Sequence, residues 1–166
     1  MRTHQTKPNQ WSCSITAAAM AINIPVDQLI DQLGHDGSEI VFPHLPEPAC
    51  RRGFHSQEII HLAWRLGCTV TPMELFPMIA PSEGVGAVHV FFDGDQVDNW
   101  QRFLNIINNT EGVLEGAGKA CRHAVYYDHG LIYDPDLNGG PIYGFSKVAC
   151  TARGFYPQRA LVFKDK

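Results

Sequence analysis

The sequence predicts an α+β fold, with helices in the first part of the chain and strands in the last third. Three observations carry this. Before residue 67 apolar residues recur at helical spacing, and after residue 110 they alternate as strands do. The two kinds of segment are also segregated, which is the signature of α+β rather than of alternating βαβ units. The expected architecture is a helical half, about residues 11–67, packed on an antiparallel sheet built from about residues 110–166.

The elements follow in order. Pro8-Asn9-Gln10-Trp11-Ser12 reads as a loop, with Ser12 as N-cap of an alanine-rich helix, Cys13 to Ile22. Pro25 interrupts, and Val26, Leu29, Ile30 and Leu33 then form an amphipathic stripe closed by Gly34. His35 to Phe54 has prolines and glycines without a period, and a loop of that length in a compact domain is often functional. Ser56 is the expected cap of a third helix, with Ile59, Ile60, Ala63, Trp64 and Leu66 as its apolar residues and Gly67 as its stop. Cys68 to Thr71 alternates as a strand, and residues 72–86 read as a loop rich in proline and glycine. Ala87 to Phe92 is a further expected strand, ended by Asp93-Gly94. Val97, Trp100, Leu104 and Ile107 give a fourth helical stripe. Gly112 to Gly118, Ala120 to Asp128, Leu131 to Asp134 and Ala160 to Lys164 complete the strands, with Asp128-His129-Gly130 as a hairpin turn and residues 134–140 as a dense turn cluster.

Composition narrows the function. The chain has 166 residues, enough for one ordinary domain. Its net charge of −4 argues against a nucleic-acid partner, which would call for gathered Lys and Arg. No apolar run reaches the ~20 residues that span a bilayer, so no membrane is expected. The N-terminus is polar and lacks a secretory apolar core, so a cytoplasmic location is expected. Five cysteines, Cys13, Cys50, Cys68, Cys121 and Cys150, form an odd, widely spaced set that does not suggest a disulfide framework.

Cys13 differs from the other four. It opens a helix, where unpaired backbone N–H groups and the helix dipole favour an anion, and the thiolate is the reactive form of cysteine. The plain alternative is a small hydrophobe packed at a helix start. A cysteine nucleophile needs a base, and His123 starts a strand that a hairpin joins to Tyr133-Asp134-Pro135, so an imidazole and a carboxylate can meet. His89 is the fallback histidine. Cys121-x-His123 and Cys50-x4-His55 do not have usual zinc spacing, and neither a phosphate-binding glycine loop nor a Gly-x-Ser-x-Gly elbow is present. No metal or cofactor is implied. The Arg51-Arg52 pair reads as solvated surface, although its loop has the length to wall a cleft.

Together, Gln10-Trp11-Ser12-Cys13-Ser14-Ile15-Thr16-Ala17-Ala18-Ala19-Met20, Arg122-His123-Ala124-Val125 and Tyr133-Asp134-Pro135 resemble the papain-like cysteine peptidases. The likeness is greatest to the compact bacterial branch that includes the double-glycine leader peptidases of bacteriocin export. The resemblance implies a single papain-like domain over 1–166, a peptide or protein substrate, and an acyl-enzyme mechanism. It implies Cys13 as nucleophile, His123 as general base and then acid, and Asp134 as the group that orients His123. It also implies an upstream glutamine that completes the oxyanion hole. The usual offset of about six residues lands on Lys7, so Gln5, eight residues before Cys13, is the first choice and Gln10 the second. Ser14 departs from the glycine that often follows the cysteine. Other readings of the same residues are a cysteine amidase or acyltransferase, or a catalytically silent binding module.

Overall fold

The computed structural model describes residues 3–74, 97–119, 121–136 and 142–165. The strand expected at Ala87 to Phe92, its Asp93-Gly94 turn and the fallback His89 lie outside the described residues. The elements are α1 (Cys13–Ile22), α2 (Val26–Leu33), α3 (Ser56–Arg65), β1 (Cys68–Glu74), α4 (Val97–Asn109), β2 (Glu111–Ala117), β3 (Arg122–Asp128), β4 (Leu131–Tyr133), β5 (Ile142–Gly144), α5 (Lys147–Arg153) and β6 (Tyr156–Asp165). They build helices around a six-stranded antiparallel sheet of order β1-β6-β2-β3-β4-β5, an α+β architecture.

Alternation along β2, β3 and β6 gives the sheet two apolar faces. Val113, Ala124, Tyr126, Leu161 and Phe163 point to one side, where they meet Ile15, Ala18, Met20, Leu29, Ile59 and Leu62 of α1, α2 and α3. Leu114, Val125, Tyr127, Ile132, Ala160 and Val162 point to the other, where α4 lays down Trp100, Phe103 and Ile107. Each large side chain taken out of water on either face contributes about 1.5–3 kcal/mol. Helix α1 is buried nearly all round, and its run of alanines lets it lie close against β3 and β2. The head of α1 therefore has a fixed position over the sheet.

Local chemistry sets the boundaries. Asn23 and Gly34 end α1 and α2 in the left-handed conformation, at φ 63° and 77°. Helix α3 starts at Ser56, but the cap is His55, whose partner Glu58 closes a capping box; the Ser56 hydroxyl turns instead to Glu115. Within α3 the buried stripe is Ile59, Leu62 and Ala63, while Trp64 faces outward at 63% exposure. Positive φ at both His129 and Gly130 makes the β3–β4 connection a primed two-residue turn, which matches strand twist. Strand β2 carries a bulge against β6 between Glu115 and Gly116. A Cβ at Gly116 would come 2.0 Å from the Tyr156 carbonyl oxygen, so only glycine lets the strands close there. Residues 35–54 are irregular, as expected, yet firmly folded. Ile40 bridges Arg51, the Gly53 N–H donates to the Gly37 carbonyl at 2.9 Å, and Arg51 forks onto the Glu47 carboxylate.

Candidate active site

The site begins at the head of α1. Cys13 is the first helical residue and is 8% exposed. Ser12 occupies the N-cap position without capping: its hydroxyl donates to the Asn9 carbonyl at 3.1 Å and accepts from the Asn9 N–H at 3.3 Å. The cap bond expected of Ser12 is thus replaced by a bond that closes the preceding loop. No side chain caps the first turn, so its N–H groups remain oriented toward whatever charge develops beside Cys13.

The sheet supplies the partners. Tyr133 at the end of β4 pairs with Tyr126, which brings Asp134 near the start of β3, where His123 stands. His123 Nε2 bonds the Asp134 carboxylate at 2.9 Å, which leaves Nδ1 for the Cys13 thiol. Asp134 is 7% exposed and also accepts from the Asp136 N–H at 3.1 Å. Phe155 packs edge-on against the imidazole at 5.5 Å, so the ring is held on two sides. Cys13, His123 and Asp134 are brought together across more than a hundred residues of chain.

Electrostatics follow from this packing. Burial works to raise the Cys13 thiol, but the His123 hydrogen bond and charge, the Lys7 ammonium and the Ala124 backbone outweigh it, and the pKa falls. Burial works to lower His123, but its bonds to Asp134 and Cys13 push it up to about 9. Both shifts act in the direction that favours a thiolate–imidazolium pair. Burial, then the neighbouring Cys13, raises Cys121, and burial alone pushes Cys150 up to about 12.

The oxyanion candidates separate. Gln5 does not reach the site: its side-chain amide donates to the Ile24 carbonyl at 2.9 Å and accepts from the Val26 N–H at 2.8 Å, pinning the N-terminal segment to the α1–α2 turn. Both ends of the Gln5 amide, the first choice for the oxyanion role, are thus committed away from Cys13. Gln10 lines the cleft beside Cys13. Lys7, at the six-residue offset, is 9% exposed. Its N–H donates to the Pro135 carbonyl at 2.8 Å, and its Nζ pairs with Asp136 at 3.1 Å, which sets its charge near Cys13.

Cys13 and His123 open into a cleft of about 430 Å³. Its walls include Gln10, Trp11 and Ser14 from the head of α1, and Pro48, Ala49, Arg51, Arg52 and Phe54 from the long loop. The sheet adds Glu115, Cys121, Arg122 and Arg159. Arg51 and Arg52 are therefore not plain solvated surface. Their side chains are 25% and 30% exposed and are held by Glu47 and Glu58. Among the described residues, no group of three or more His, Cys, Asp and Glu side chains converges as a metal site. No helix among them is long and apolar enough to cross a membrane.

No protein-family model and no curated protein matches the sequence. Solved structures do match the fold. The peptidase domain of Streptococcus ComA, a bifunctional ABC transporter of a quorum-sensing pathway, is 12% identical at TM-score 0.56, over the whole of both chains. The fold is one shared with solved peptidase domains. The double-glycine-motif protease of an AMS/PCAT transporter, solved with its leader peptide, is also 12% identical, at TM-score 0.52, over all of this chain and 93% of that one. Here one packed helix carries Cys13, strand β3 carries His123, and Asp134 directly follows β4.

Proposed function

We propose that the protein is a cysteine peptidase that cleaves a peptide or isopeptide bond through an acyl-enzyme. The observation that carries this reading is the convergence of Cys13, His123 and Asp134 at an uncapped helix head inside a cleft. The Cys13 thiolate adds to the substrate carbonyl carbon, forming the C–S bond. The oxygen that becomes charged is held by the Cys13 N–H, with the Gln10 amide as the second donor. His123 gives its proton to the departing nitrogen as the C–N bond breaks. It then takes a proton from water as that water attacks the thioester, and the C–S bond breaks to restore the thiolate. Asp134 fixes the imidazole so that Nδ1 faces sulfur, and stabilises its protonated form.

Profiling with a panel of peptidyl electrophiles, comparing wild type with Cys13→Ala, tests the proposal. A label that maps to Cys13 and is lost in the variant supports it. A panel that leaves Cys13 unmodified while labelling Cys121 would leave the chain as a silent papain-like module.

A further inference from the structure

The cleft concentrates positive charge in a chain that is negative as a whole. The sequence has eight arginines and a net charge of −4, yet Arg51, Arg52, Arg122 and Arg159 all line this one cleft, and among the described residues Glu115 is the only carboxylate that lines it. The carboxylates that hold three of these arginines stand mostly outside it. Glu47, Glu58 and Glu74 do not line the cleft, and Glu47 and Glu74 are exposed. Glu115 itself is 6% exposed, accepts the Ser56 hydroxyl at 2.8 and 2.9 Å and pairs with Arg159 at 3.4 Å. These partners fix the guanidiniums in place while leaving the concave surface cationic.

Arg122 is different again. It precedes His123 on β3, is exposed, and has no carboxylate partner among the described residues; its side chain donates from Nη1 to Gln158 Oε1 at 3.4 Å. A guanidinium presents two parallel donors that match a carboxylate, and one that is already positioned loses little freedom on pairing. Resting on the peptidase reading above, we propose that the substrate is an acidic peptide segment, with an Asp or Glu side chain beside the scissile bond that pairs with Arg122 and further carboxylates that face the arginine-lined wall.

Binding to the Cys13→Ala chain tests this without requiring turnover. The probes are fluorescein-labelled octapeptides that differ only in carrying Glu, Gln or Lys at two central positions, read by fluorescence polarisation. The Glu peptide is expected to bind about tenfold tighter than the Gln peptide at about 50 mM NaCl, with the advantage shrinking at about 200 mM. Arg122→Gln should remove most of that advantage and Arg122→Glu should reverse it; the exposed position makes both variants compatible with folding. Equal binding of the Glu and Gln peptides overturns the proposal, as does a Glu preference that survives Arg122→Glu unchanged. The two readings fail separately. Wild-type cleavage that Cys13→Ala abolishes keeps the peptidase reading even if the charge series is flat, whereas Glu-selective binding with no cleavage of any of these peptides keeps the acidic-segment assignment alone.

Discussion

Cys13 and Cys150 are the same side chain, both buried and both helical, yet their thiols move in opposite directions. Burial alone acts on Cys150 and pushes it up to about 12. Burial is also the largest single influence on Cys13, but His123, Lys7 and the Ala124 backbone overcome it. The two helices differ in the same sense. Helix α5 is closed at its start by Ser146, whose hydroxyl accepts from the Ala149 N–H at 3.0 Å, whereas α1 has no side-chain cap. A reactive thiol is therefore made by its partners, and concealment by itself makes an inert one.

The largest test of this contrast is removal of each sulfur. Cys13→Ala should cut kcat/KM for peptide hydrolysis on the order of 10⁴-fold or more, because the proposed acyl-enzyme could then not form. Cys150→Ala should leave kcat/KM nearly unchanged and cost stability instead, about 1–2 kcal/mol in a denaturant melt, for the small cavity left in the core. Loss of turnover in a folded Cys150→Ala protein would erase the distinction. Next in size is chemical reactivity. At pH 7 iodoacetamide should modify Cys13 at least about 100-fold faster than Cys150, since the thiolate is the attacking form. Mass-spectrometric mapping gives the rates, and equal rates at the two thiols would mean that the partners around Cys13 do nothing.

A smaller effect isolates one partner. The ion pair exists between the lowered Cys13 pKa and the raised His123 pKa of about 9, so activity should fall on the acid side as the thiolate is protonated and above about pH 9 as the imidazolium is lost. Asp134→Asn removes the first influence that raises His123, so the alkaline limb should move down toward the ordinary value of 6.5. Its kcat/KM should then fall about 10–10²-fold at pH 8 and much less at pH 6. A variant whose loss is equal at both pH values would make Asp134 a packing residue.

Much of this arrangement is legible in the sequence. The three N-terminal helices declare themselves through apolar spacing and through the stops at Pro25, Gly34 and Gly67, and the β3–β4 hairpin through Asp128-His129-Gly130. Strand β1 runs through Pro72 to Glu74, where a loop is expected; among the described residues β1 is the outermost strand of its side of the sheet, where proline is tolerated. Strand β5 has three residues and α5 seven, too short for a period to show, and only Ser146 and Gly154 bracket the helix. The order Cys13, His123, Asp134 is visible in the chain. The fate of Gln5 is not, because its partners at Ile24 and Val26 depend on how the N-terminal segment folds back. The arginine wall is hidden for the same reason: composition reports a net negative chain, and only the long loop and the sheet together gather four guanidiniums into one cleft.

Lys7 provides the finest test of what separates Cys13 from Cys150. It is nearly buried, and its charge reaches the Cys13 sulfur while its Nζ stays on Asp136. Lys7→Met keeps most of the buried stem and removes the charge, and Asp136, 60% exposed at its side chain, can be rehydrated in place. The Cys13 thiol pKa should rise, because one cause that lowers it is gone while burial still opposes ionisation. The acid limb of kcat/KM should move up with it, so the loss should be greatest at the acid end of the profile and shrink as the pH rises. Absorbance of the thiolate during a pH titration reads the same shift without turnover. Cys150 should titrate as before, since nothing but burial acts on it. An unmoved acid limb would assign the whole contrast between the two thiols to His123 and the Ala124 backbone.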